Sequence, residues 1–71
     1  MSSMTGEVVH IERARGFAFI RHDGMDYFFH FNQFGDANTV SFEDLQVGDP
    51  VSFEAVPSTR GPRAMRVVVQ R

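Results

Sequence analysis

Residues Arg15–Phe31 read RGFAFIRHDGMDYFFHF, six phenylalanine or tyrosine rings in seventeen residues that also hold two arginines and two histidines. Asp23-Gly24 divides the stretch into two strand-like runs. That dipeptide is the strongest short signal for a two-residue hairpin turn, because it tolerates positive φ at both central positions. The turn sets a register in which His22 faces Met25, Arg21 faces Asp26, Ile20 faces Tyr27, Phe19 faces Phe28, Ala18 faces Phe29, Phe17 faces His30 and Arg15 faces Asn32. Side chains alternate across a strand, so one face carries Gly16, Ala18, Ile20, Tyr27, Phe29 and Phe31, and the other carries Arg15, Phe17, Phe19, Arg21, Asp26, Phe28, His30 and Asn32. The first face has no formal charge, and burying the two Arg and the Asp of the second would cost several kcal/mol per unpaired ion. The first is therefore expected to be core, and the second a solvent-facing platform of Phe17, Phe19, Phe28 and His30 rimmed by Arg15 and Arg21.

Outward from this hairpin the chain continues as short strands. Gly6–Glu12, Val51–Val56 and Ala64–Gln70 are rich in Val, Ile and Phe and join Phe17–His22 and Met25–Phe31 as five strands. Pro50 stands at a strand start, where its missing N–H is tolerated. Ser58–Pro62 (STRGP) reads as a loop, and Ser41–Val47 (SFEDLQV) as one capped helical turn with Ser41 three residues before Asp44. These elements predict an all-β fold, a five-stranded antiparallel barrel, which removes exposed strand edges by closing on itself. The whole chain, 1–71, is expected to be one domain with a disordered lead at 1–4. A domain of this size buries only about 60% of the surface its unfolded chain exposes. Large apolar groups left outside are therefore informative.

The chain has no cysteine, which excludes a disulfide framework and thiolate metal sites. MSSMT has neither the charged nor the apolar region of a secretory signal, and no apolar run approaches the ~20 residues of a membrane span. A cytoplasmic protein without a membrane partner is expected. Formal charge is −2, but it is segregated: residues 22–59 net −7 and contain no Arg, whereas the rest nets +5, and all seven basic residues are Arg. Separation of this kind gives a sided surface only if the fold brings the two basic ends together.

Rings interleaved with Arg on an antiparallel sheet suit single-stranded nucleic acid, RNA or DNA, because an unstacked base can lie on each ring and Arg adds phosphate and cation–π contacts. RGFAFI at Arg15–Ile20 also fits the start of the first ribonucleoprotein signature. In RNA-recognition-motif domains that signature follows a strand, a helix and a second strand, for which fourteen upstream residues leave no room.

The chain instead resembles the cold-shock domain family, small OB-type barrels that carry this motif on the second strand. The resemblance runs from TGEVVHI (Thr5–Ile11) through RGFAFI and DYFFHF to VGDPVSFE (Val47–Glu54) and RGP (Arg60–Pro62). It implies a backbone contact for Arg15, base stacking for Phe17, Phe19, Phe28, His30 and Phe31, a loop aromatic in Phe42 and the basic turn residue in Arg60. It also implies a nucleic-acid chaperone or cold-shock-type regulator.

The sequence departs from the family on strand one. Where Lys, Trp and Phe are usual it has Val9, His10 and Ile11, so His10 offers a smaller ring at the Trp position and the site is reduced. The reduction and the acidic middle segment leave a second reading, a protein-interaction or self-association module using the phenylalanine patch. A monomer is expected under the first reading, a weak homodimer under the second. Catalysis, a cofactor and a metal are not expected: His10, His22 and His30 are spread over three strands without paired carboxylates. His22 is expected to sit near the turn in a structural role. Asp36, Glu43 and Asp44 lack the ligand spacing of a calcium loop and are expected to solvate the long loop.

Overall fold

Asp23 and Gly24 take φ of 53° and 80°, the two positive values that the expected hairpin turn requires. The computed structural model describes residues 3–34 and 40–70. Around the hairpin five strands form, β1 (Met4–Glu12), β2 (Phe17–His22), β3 (Met25–His30), β4 (Pro50–Val56) and β5 (Arg63–Val69), with short 3₁₀ turns at Phe31–Gln33 and Phe42–Asp44. They close into a barrel in the order β1-β2-β3-β5-β4. The register of β2 on β3 is the expected one from His22–Met25 to Phe17–His30.

One seam corrects the wholly antiparallel expectation. β5 runs parallel to β3, joined at Phe28–Arg63 and extended by a lone bridge at Phe34–Val67. The seam is short because β3 ends early: Phe31–Gln33 leave the sheet in a 3₁₀ turn, closed by the Phe34 N–H donating to the Phe31 carbonyl (3.0 Å). Arg15 and Asn32 therefore do not pair, and the β2–β3 ladder ends at Phe17–His30. At the other end, Met4 already pairs with Phe53, so the strand starts inside the expected disordered lead, whose first two residues lie outside the described residues.

β1 spans both neighbours, pairing with β4 through Met4–Glu7 and with β2 through Glu7–Glu12. Its register slips between Val8 and His10, a bulge of one extra residue. The slip matters for side-chain direction. Val8 sits opposite Ile20 and Ile11 opposite Ala18, both inward, while His10 sits opposite Phe19 on the outside. A strict two-residue alternation would have sent Val8 and His10 to the same face.

The interior holds Val8, Ala18, Ile20, Tyr27, Phe29, Leu45, Val51, Phe53, Ala64 and Val67. Ala18 opposite Phe29 supplies the room that a large ring needs in so narrow a barrel. Gly16 and Phe31, expected on this inner face, are not part of the core. Gly16 has φ 74°, which ends the strand, and Phe31 turns outward with 51% of its surface exposed. The two remain coupled: the Phe31 N–H donates to the Gly16 carbonyl (2.8 Å), and a Cβ on Gly16 would meet the Phe31 ring at 2.9 Å.

The Ser41–Val47 segment keeps one turn of helix, but the Ser41 hydroxyl donates to the Asp44 carboxylate (3.3 Å) and makes no cap to the backbone. Arg13 holds this segment instead. Its guanidinium donates to the carbonyls of Phe42 (3.0 Å) and Glu43 (2.8 Å) and to that of Leu45. That single cation satisfies carbonyls a short turn leaves open. Residues 35–39, including Asp36, lie outside the described residues.

Candidate nucleic-acid interface

Phe17 and Phe19 leave β2 on the outer face, and Phe28 leaves β3 beside them. The three rings form a triangle with centroid separations of 5.9 Å (Phe17–Phe19), 5.3 Å (Phe17–Phe28) and 5.7 Å (Phe19–Phe28). The Phe19 pairs are edge-to-face and the Phe17–Phe28 pair is tilted, the arrangements that ring quadrupoles favour. The rings are half-buried, because each covers part of its neighbours, so the platform is less exposed than alternation alone suggests.

His10 extends the triangle along β1, its ring 6.2 Å from Phe19, and donates from Nε2 to the Glu12 carboxylate at 2.8 Å. His30 groups with a second cluster. Its ring lies 4.7 Å from Phe31, which in turn lies 6.2 Å from Phe42. Phe42 is half-buried and also meets Phe29 edge-on at 6.2 Å, so it belongs to the core as much as to the surface. His22 plays the structural part expected of it: Nδ1 donates to the Thr5 carbonyl (2.6 Å) and the ring packs edge-on against Phe53.

The arginines divide differently from the sequence expectation. Arg21 is bound to its cross-strand partner Asp26 (Nε to Oδ1, 2.8 Å). The hydrogen bond from Arg21 holds the Asp26 carboxyl below its ordinary range, and the same bond raises the guanidinium. Arg21 therefore reaches the platform edge already neutralised. Arg15, in the turn before β2, lines a recess of about 440 Å³ with Phe31, Phe42 and Gly16.

In the second basic segment Arg60 is joined at the rings by Arg63, which the sequence reading did not include. With Phe19, Phe28 and Pro62 they line a recess of about 290 Å³. The Arg63 guanidinium lies over the Phe28 ring, 4.7 Å from its centroid, well inside cation–π range. The Phe28 N–H donates to the Pro62 carbonyl (3.2 Å), which ties the Arg60–Pro62 turn to the ring it flanks. The ion pairs among the described residues are His10–Glu12, Arg21–Asp26 and Arg66–Glu54, so Arg60 and Arg63 take part in none.

Sequence reasoning left Arg63 out because its place is created by the parallel β3–β5 seam, which brings together residues 35 apart. The only local signal was its position just after RGP. Ile11, read as one of the lost rings of strand one, packs partly buried against the core.

A closed barrel of this strand order with an aromatic outer face on β2 and β3 is an OB-type barrel. Its structural likeness extends to a solved Drosophila chain, Unr CSD456, with a TM-score of 0.76 at 21% identity, covering 99% of this chain and 27% of that one. The profile of the 'Cold-shock' DNA-binding domain matches residues 4–70. The major cold shock protein CspA of Bacillus cereus is 37% identical over 67 residues, 93% of this chain and 96% of its own length. Cold shock-like protein CspD of B. cereus reaches 42% over 65 residues (89% and 92%), and a cold shock-like protein of Aquifex aeolicus 36% over 69 (94% of each). The chain belongs to the cold-shock domain family, a nucleic-acid-binding and non-enzymatic family. No helix among the described residues is long and apolar enough to cross a membrane.

Proposed function

We propose that the domain binds single-stranded RNA or DNA with little dependence on sequence, stacking bases on Phe17, Phe19 and Phe28 and continuing over His30 and Phe31. The observation that carries this reading is the ring triangle with the Arg63 guanidinium over one of its rings, in no ion pair among the described residues. Stacking acts on the face of any base, which accounts for tolerance of sequence, and Arg15 and Arg60 supply the contacts to phosphate while Arg63 covers the Phe28 ring. Arg21, held by Asp26, contributes little, and Phe42 acts mainly by holding Phe31 in place. Two such contacts imply a slope of log affinity against log salt of about −1.4, since each phosphate neutralised on a single strand contributes ~0.7. The role that fits a weak, sequence-tolerant binder is to keep transcripts unpaired, as an RNA chaperone or cold-shock-type regulator. His10 in place of a larger ring makes the site a reduced one.

A chemical-shift titration of the labelled domain with a short single strand at low salt tests the reading. Shifts should concentrate on the amides of β2, β3 and the Arg60–Arg63 turn. Shifts scattered over the barrel, or none at micromolar protein, would overturn it. Oligonucleotide-independent growth of the mass with concentration, measured by light scattering, would point to self-association through the phenylalanine patch.

A further inference from the structure

The recess between the ring triangle and the Arg60–Pro62 turn has an aromatic floor, Phe19 and Phe28, and walls that carry two guanidiniums. We propose that this recess selects guanine, with the base seated against the rings and Arg63 donating two N–H groups to its O6 and N7. The inference rests on the single-strand reading above and adds to it a base preference at one position.

The position of Arg63 sets it apart from the other arginines. A cation meant only for phosphate needs to reach the outer edge of the strand, as Arg60 can from its turn. Arg63 instead covers the face of Phe28, at the level where a stacked base would lie. Its backbone pairs with Phe28, and the neighbouring Pro62 carbonyl accepts from the Phe28 N–H, so the two side chains start from adjoining main chain. Stacking on a ring restricts a guanidinium to few orientations and leaves its in-plane N–H groups available. No ion pair competes for them among the described residues. A base entering the recess thus presents its edge to a fork of donors that no ion pair among the described residues engages.

The bases answer that fork differently. Guanine offers two adjacent acceptors, O6 and N7, on one edge, whereas adenine sets an N6 donor beside N7 and uracil or thymine offers O4 alone there. Cytosine has adjacent acceptors in N3 and O2 but a smaller face for the rings. In a single strand all these edges are unpaired and open to side chains.

Fluorescence anisotropy with four labelled uracil-rich strands, identical except for one central G, A, C or U, tests the proposal. The G strand should bind on the order of ten-fold tighter than the A and U strands, the scale of one good bidentate contact. Replacing that G by 7-deazaguanine, which lacks the N7 acceptor, should remove most of the advantage. Arg63→Lys keeps the charge but not the fork, so it should level the four affinities while leaving the salt slope unchanged. Equal binding of all four strands by the natural protein would overturn the guanine assignment alone. So would a G advantage that survives Arg63→Lys, or a loss in Arg63→Lys that is uniform across the strands. Absence of binding to every strand would remove the parent reading with it.

Discussion

On the inner face of the β2–β3 hairpin Phe29 is fully buried, opposite Ala18, while one residue earlier Phe28 stands half-buried on the outer face, opposite Phe19 and under Arg63. The residue type is the same and so is the strand. What separates the two rings is the company that alternation imposes. Inside, small partners leave a space for one ring to fill completely, and no charge has to be desolvated. Outside, rings face rings, and Arg15, Arg21 and Asp26 on the same surface keep that face in water. Ring content therefore says little about burial in a barrel this small; the cross-strand partner says more.

Deleting one ring from each face should separate the two roles most clearly. Phe29→Ala should cost about 3–5 kcal/mol of stability, the usual penalty for a large ring removed from a well-packed interior. A variant still folded should keep its outer platform, so chemical denaturation and oligonucleotide binding on the same sample separate the two effects. Phe19→Ala should do the reverse, weakening binding by about 1–3 kcal/mol with a smaller loss of stability. Equal destabilisation by both would show that the outer rings are core in all but name.

Extending the platform should have the opposite effect to deleting one of its rings. His10 is placed outward by the bulge and lies beside Phe19, so His10→Trp should enlarge the stacking surface and tighten single-strand binding by roughly 1 kcal/mol. Val9→Lys added to it should steepen the salt dependence. Anisotropy against one oligonucleotide compares all three proteins. If neither change helps in a folded variant, strand β1 does not border the site, and self-association through the ring patch becomes the stronger reading.

The smallest expected effect comes from the Arg21–Asp26 pair at the platform edge. Asp26→Asn should free Arg21 and steepen the salt slope by up to ~0.7, one added phosphate contact. In the natural protein the Asp26 carboxyl is depressed by its bond from Arg21, so the pair's contribution to stability is present above the ordinary carboxylate range. It is lost as pH falls through the lowered value. Both groups are exposed, so acid unfolding of the two proteins should differ little. A large difference would mean the pair braces the hairpin and does more than occupy Arg21.

Local chemistry explains what could be read in advance. Asp23-Gly24 forces one turn geometry, that turn permits one register, and register with alternation assigns Ala18, Ile20, Tyr27 and Phe29 to the interior and the Phe17–Phe19–Phe28 surface to the outside. Each step involves residues a few positions apart, so propensity and sterics suffice. The motif pattern carried the family for the same reason, since its residues lie along consecutive strands.

Elsewhere the decision lay with contacts that no local rule reaches. Phe31 continues the inward pattern, but the barrel ends there: the chain leaves β3 in a 3₁₀ turn and the ring comes out beside His30. Arg63 became part of the site because β5 inserts between β3 and β4, parallel to the former, and lays a side chain from the end of the chain over Phe28. Periodicity records which face of a strand a residue takes, and that much the amino-acid order determines. Which strand comes to lie alongside is settled by barrel closure, a global balance of burial and pairing, and only the folded molecule shows which arginines end up beside the rings.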